Sequence, residues 1–155
     1  IDRGSLYTAY ADKHALFMES LRYFDQVYRA DFLNSIAQHH AGRDAIVAAF
    51  KGVCALPEEG ETPGGFLLVN TALELSPHDS EVRNFIDGCL SEVEGFFYEQ
   101  LESAKHCHAM DRSPPSRQTA QAILALFLGL RVLTRTGPNK PAAAAIIAQV
   151  KAMLT

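Results

Sequence analysis

Residues 80–104 read "SEVRNFIDGCLSEVEGFFYEQLESA", and this stretch decides the fold. Val82, Phe85, Ile86, Cys89, Leu90, Val93, Phe96, Phe97, Leu101 and Ala104 recur at steps of three and four, the period of an amphipathic helix. The preceding "SPHDSE" (76–81) supplies its start, since the short oxygen-bearing side chain of Ser76 or Asp79 can accept an orphan amide of the first turn. On the far side, "MDRSPPS" (110–116) breaks the pattern, because paired prolines cannot continue a helix.

The same period extends in both directions. Upstream, Phe66 to Leu75 is apolar on nearly all sides, as a buried helix would be. Before it, "EEGETPGG" (58–65) is a turn-rich loop, and a helix after Gly42 carries Ile46, Ala49, Phe50, Val53 and Cys54 until Pro57 and Gly60 end it. Phe17, Leu21, Phe24 and Tyr28 share one face of a helix expected over Lys13 to Arg29. Downstream, 116–135 is expected to begin with Ser116 as N-cap and to stop at Gly137-Pro138. In 140–154, Pro141 sits near the first turn, where its missing N–H costs nothing. No alternating strand pattern and no internal repeat interrupts this, so the expected class is all-α.

Composition agrees. The chain has 155 residues, 48% hydrophobic and 21% charged, a globular balance with enough apolar surface for one domain-sized core. The longest apolar run, Ala122 to Leu130, suits a buried helix and is too short for a membrane span. The opening residues lack a secretory-leader pattern. Cys54, Cys89 and Cys107 are odd in number and form no CxxC pair, which favours reduced thiols and a cytoplasmic location. The net charge of -4 disfavours polyanion binding by the chain as a whole, so any nucleic-acid contact must be local.

The last two helices carry excess apolar surface. Ala122 to Leu133 is apolar right round, with Arg131 intervening, and the final helix is rich in small residues, Ala142 to Ala145 and Ala148. Either both complete the monomer core, or Ala125, Leu128, Val132, Ala144, Ile147 and Val150 form a four-helix interface in a two-fold homodimer, the outcome we expect.

Chemistry-bearing constellations are sparse. There is no GxSxG elbow, HExxH or phosphate-cradling glycine loop, and Glu58-Glu59 reads as solvated, so no catalytic residue and no enzyme activity are expected. "KHCHAM" (105–110) places Cys107 with His106 and His108, a set that could sense metal or oxidant, or simply a polar helix end whose cations face the negative dipole terminus. His39-His40 lies between helices. No resident metal or cofactor is expected. Asn70, Thr71 and Glu74 interrupt an apolar helix, and buried polar groups need partners. They either bond to neighbouring helices or line an apolar ligand cavity walled by Phe17, Leu21, Phe50, Phe66, Phe96 and Phe127.

The opening "GSLYTAYADKHALF" (4–17) resembles the junction in tetracycline-repressor (TetR) family regulators where the recognition helix of a helix-turn-helix runs into the next helix. Gly4, Ser5, Leu6, Tyr7, Tyr10, Lys13, Leu16 and Phe17 supply the pattern, with Tyr10 where Phe is usual. "GGFLLVNTALELSPHDSEVRNF" (64–85) is similar to a segment of one branch of that family, with Gly65 where Cys is frequent and Ser80 where Pro is common; "LGLRVLTRTG" (128–137) resembles the start of its dimerisation pair. The resemblance implies a DNA-binding remnant over 1–29 and a ligand-binding and dimerisation domain over 30–155, with the first helices of the helix-turn-helix upstream of Ile1. It implies a repressor that releases operator DNA when a small-molecule effector binds, operator binding being a property of the full-length protein. Arg3, Ser5 and Thr8 would face the groove, and Tyr7 and Lys13 would hold phosphates. The alternative is a redox or metal sensor on the same scaffold, using Cys107 with His106 or His108.

Overall fold

The computed structural model describes residues 13–55, 66–107, 115–135 and 140–155. They form helices α1 (Lys13–Asp25), α2 (Asp31–His39), α3 (Gly42–Cys54), α4 (Phe66–Glu74), α5 (Ser80–His106), α6 (Ser116–Arg135) and α7 (Lys140–Met153). A π-helical turn, Gln26–Ala30, joins α1 to α2. No strand occurs among the described residues, and the class is all-α as the periodicity requires.

The axis is α5, whose 27 residues span about 40 Å at the helical rise. Asp79 caps it, accepting the amides of Glu81 and Val82 through Oδ1 at 2.9 and 3.0 Å. The Val82 amide foremost, then the His14 ring, holds this carboxyl below its ordinary range. At the other helix with an expected side-chain cap, the structure differs. The Thr119 amide donates to the Pro115 carbonyl, so Pro115 holds the cap position and Ser116 is the first helical residue. The Ser116 hydroxyl is thereby released to bond Glu102 on α5.

Two apolar clusters divide the interior. The larger gathers Leu33, Ile46, Phe50, Phe97, Phe127 and Val150, with further residues of α2, α3, α5, α6 and α7. The smaller holds Met18, Leu21, Leu68, Val82, Ile86 and Cys89, from α1, α4 and the first half of α5. Burial of each such side chain contributes about 1.5–3 kcal/mol. Thus α1 packs on the smaller cluster, and the chain crosses to the larger one through the π turn.

The register of that crossing corrects the sequence reading. The inward face of α1 and the turn is Met18, Leu21, Asp25 and Arg29, whereas Phe17, Phe24 and Tyr28 are half-buried beside it. Phe24 and Tyr28 stack with ring centroids 4.3 Å apart. Helix α2 was not anticipated at all; the widened turn, in which the Asp31 amide donates to the Gln26 carbonyl, carries the helix on to Leu33.

Gly42 opens α3 with φ +58°, and its amide donates to Gln100 Oε1 at 2.8 Å. An L side chain is strained there, so Gly42→Ala should cost about 1–2 kcal/mol in urea unfolding. Gly88, on the exposed side of α5 with nothing within 4 Å of an added Cβ, gives the opposite expectation. Gly88→Ala should stabilise by about 0.5–1 kcal/mol.

Candidate functional site

The π turn holds two charges out of water. Arg29 forks onto Asp25, Nε to Oδ1 at 2.5 Å and Nη2 to Oδ2 at 2.7 Å, with the two side chains only 10% and 8% exposed. Nη2 also donates to Glu92 Oε2 on α5 at 2.7 Å. Burial alone would lower the arginine pKa, but the hydrogen bonds to Asp25 and Glu92 outweigh it and raise it above the ordinary value. Beside this fork stands Cys89. Burial first, then the Asp25 carboxylate, pushes its thiol up to about 12, against the opposing pull of Arg29. Cys89 is therefore a protonated donor here and not a thiolate.

Next to this network, where the two apolar clusters meet, lies a cavity of about 30 Å³. Arg29, Phe32 and Leu33 close it on one side, Leu68 and Val69 of α4 on another. From α5 come Cys89, Leu90 and Val93, and from α6 Phe127, Leu128 and Arg131. This volume has room for roughly one water. An organic ligand could enter only if the two clusters parted.

Arg131 shapes that seam. Its guanidinium carbon lies 4.9 Å from the centroid of Phe127 and 5.7 Å from that of Phe32, a double cation–π contact. Burial lowers its pKa to about 10. Behind it, Phe127 packs edge-on against Phe50 and Phe97, at 5.4 Å from each, and Phe96 packs edge-on against Phe97.

Of the cavity residues expected from sequence, Phe127 lines this space, and Phe50 and Phe96 belong to the aromatic group behind it. Phe17 and Leu21 lie in or against the smaller cluster. On α4, Thr71 is buried, Asn70 half-buried and Glu74 exposed, while the neighbouring Leu68 and Val69 face the cavity. Phe66 begins α4, but its side chain lies outside the described set. Sequence reasoning missed Arg29, Cys89 and Arg131 as wall residues. The signals were an Asp25–Arg29 pair at i,i+4 and a single cation inside the apolar stretch 122–133.

Among the expected interface residues, Ala125, Val132 and Ala144 are exposed, and Leu128 is half-buried at the cavity. Ile147 packs against the larger cluster, and Val150 lies fully inside it. Arg3, Ser5, Tyr7 and Thr8 lie outside the described residues, and Lys13 is exposed at the start of α1. Cys107 is exposed at the end of α5, on an open groove with Arg43, Lys51 and Lys151. The His106 ring bonds the Glu102 carbonyl through Nδ1 at 2.8 Å, and His108 lies outside the described residues. Among the described residues, no cluster of His, Cys, Asp or Glu could hold a metal, and no helix is long and apolar enough to cross a membrane.

No protein-family model matches the chain. A curated Bacillus subtilis (strain 168) protein described as an uncharacterized HTH-type transcriptional regulator, YezE, is 29% identical over 106 residues. The match covers 68% of this chain and 54% of that protein, so it spans about half the relative's length. The crystal structure of Escherichia coli NemR in its reduced form superposes with a TM-score of 0.63 at 19% identity, over 100% of this chain and 81% of that one. That likeness is one of fold.

Three outcomes check the site. Arg29→Met leaves Asp25 buried without its fork and should cost about 3–5 kcal/mol in urea unfolding. Glu92→Gln touches a carboxylate 68% exposed and should cost less than about 1 kcal/mol. With iodoacetamide at pH 8, well below the Cys89 pKa, mass spectrometry should find Cys107 modified in the folded protein and Cys89 only after denaturation.

Proposed function

We propose that this chain is the sensing part of a DNA-binding transcriptional regulator of the tetracycline-repressor type, in which a small molecule entering the seam between the two clusters releases the operator. One observation carries the reading. The helix that follows the "GSLYTAYADK" stretch, α1, runs straight to the π turn whose Arg29 forms the cavity wall. A ligand that parts the seam acts on the root of the helix that bears the DNA-reading residues. Such a ligand works only if it binds the parted state better than the closed one.

The similarity to an HTH-type regulator supports the DNA-binding class, and the likeness of fold to NemR is consistent with it. In this reading the protein is cytoplasmic, catalyses no reaction, and acts as a homodimer through α6 and α7. Exposed Val132 and Leu133 and the small residues of α7 support that face. A second reading, redox sensing at Cys107, is favoured by the exposure of that thiol at a groove edge beside cationic side chains. Loss of DNA affinity in dilute peroxide, abolished by Cys107→Ser, would select it.

The test uses DNA selected from a random pool by the intact protein. Tyr7→Ala and Lys13→Ala should each weaken binding to the selected sequence at least tenfold without moving the melting temperature. Unchanged affinity in both would remove the assignment. For assembly, Val132→Glu and Ala144→Glu alter exposed positions, so monomers should appear in light scattering with the fold retained.

A further inference from the structure

Two arginines border the cavity at the seam, yet its walls present almost no polar surface. Both charges are already engaged. Arg29 is bonded at 2.5–2.7 Å to the carboxylates of Asp25 and Glu92. Arg131 stacks on the rings of Phe127 and Phe32 and has a further partner besides. A third polar side chain of the wall, the Cys89 thiol, donates to Asp25. What faces the space is carbon, from Phe32, Leu33, Leu68, Leu90, Val93 and Phe127 among others.

Resting on the reading of the seam as an effector cavity, we propose that the effector is a small uncharged aromatic molecule, held by burial and ring contacts without an ion pair. An anion would have to draw Arg29 from two carboxylates or Arg131 from two rings, and would lose its own hydration in the exchange. A cation would meet two arginines and no carboxylate among the wall residues. A hydroxyl or amide would leave water for walls of carbon, and an unpaired polar group in such a setting is costly. An uncharged apolar molecule meets none of these obstacles, and its gain grows with the carbon surface it removes from water.

Shape narrows the class further. The closed space holds roughly one water, so the two clusters must separate to admit anything larger. Each increment of separation weakens packing along the seam. A planar ring lying in the seam parts the clusters by one ring thickness, whereas a puckered molecule of equal carbon number parts them further. A planar ring can also meet Phe127 edge to face, as Phe50 and Phe97 already do. The ligand binds the parted state alone, which is the state dependence that the proposed release of DNA requires.

The chain contains no tryptophan, so Leu128→Trp places a unique fluorescent reporter on the cavity wall. We would titrate this protein with benzene, cyclohexane, benzoate and benzylammonium at equal ionic strength. Benzene should shift the emission and bind at least fivefold more tightly than cyclohexane, and neither ion should bind. Adding Val69→Phe, which fills the space from α4, should abolish the benzene response. Should that variant not fold, Leu90→Phe fills the space from α5 with the same expected result. Less than a fivefold preference over cyclohexane, or binding of either ion, overturns the assignment and leaves the cavity as the effector site. Failure of all four probes to shift the emission, or a benzene response that survives filling, overturns both the assignment and the cavity reading.

Discussion

A buried ion pair inside a helix is costly to build, and the bidentate contact of Arg29 with Asp25 is the one on which this architecture turns. An exposed i,i+4 pair contributes a few tenths of a kcal/mol, and nothing need be arranged around it. Here both partners are almost fully buried, so the desolvation cost is offset only by near-ideal geometry and by the third bond, to Glu92 on α5. That requirement fixes the path of the chain. The helix must widen to a π turn at this point, the turn must abut α5 one side chain away from Cys89, and α2 must leave toward the larger apolar cluster. Break the pair and there is no physical reason for α1 and α2 to serve two different cores.

The division into two clusters then explains where a cavity can exist. A single close-packed interior leaves few voids larger than a water. Two interiors meeting along α5 leave a seam, and residues at a seam satisfy neither packing problem fully. Arg131 is the clearest product of this compromise: a cation in the apolar stretch 122–133, lining the gap with its guanidinium stacked on Phe32 and Phe127. Gly52 belongs to the same story. An added Cβ there would come within 2.8 Å of the Phe32 ring, so a larger residue in α3 requires that ring to shift at the place where α2 brings it to the cavity.

The long elements were legible because they obey one period with one kind of residue. In α5, Val82, Ile86, Cys89, Val93, Phe97 and Leu101 are buried where the hydrophobic spacing puts them. The first arm was misread because its inward face mixes kinds: Met18 and Leu21 give way to Asp25 and Arg29. A hydropathy pattern assigns charges to solvent, so Phe17, Phe24 and Tyr28 were preferred for the core, although they end up half-buried alongside. A pair that compensates its own charge is invisible to a scale that scores residues singly. The site suffered for the same reason. Phe127 was legible as an aromatic, whereas Arg29 marked only the end of the first helix and Arg131 an interruption of an apolar run. α2 was lost because the wide turn is set by tertiary burial of the fork, and local sequence spacing does not encode it.

The way α1 is fastened follows from these same contacts and bears directly on the proposed coupling. Along its exposed side the ties are solvated: His14 to Asp79 at 2.7 Å and Arg22 to Glu81 at 3.1 Å, pairs that water and salt weaken. Between them lie Met18 and Leu21, greasy and without direction. At the inner end sits the buried fork, strong and geometrically exacting. The strongest tie is therefore the one at the π turn, where the proposed coupling needs a pivot. From Asp25 to Lys13 the helix is about 18 Å long, so each ten degrees of tilt at the turn carries Lys13 about 3 Å. Two-fold DNA readers depend on half-site separations fixed by the helical repeat of the duplex. In the proposed dimer, a shift of that size in each subunit would spoil the match. In the proposed function a ligand at the seam would not have to reach the DNA-reading residues, because loosening the root of α1 from α5, where Arg29 meets Glu92, would itself move its tip.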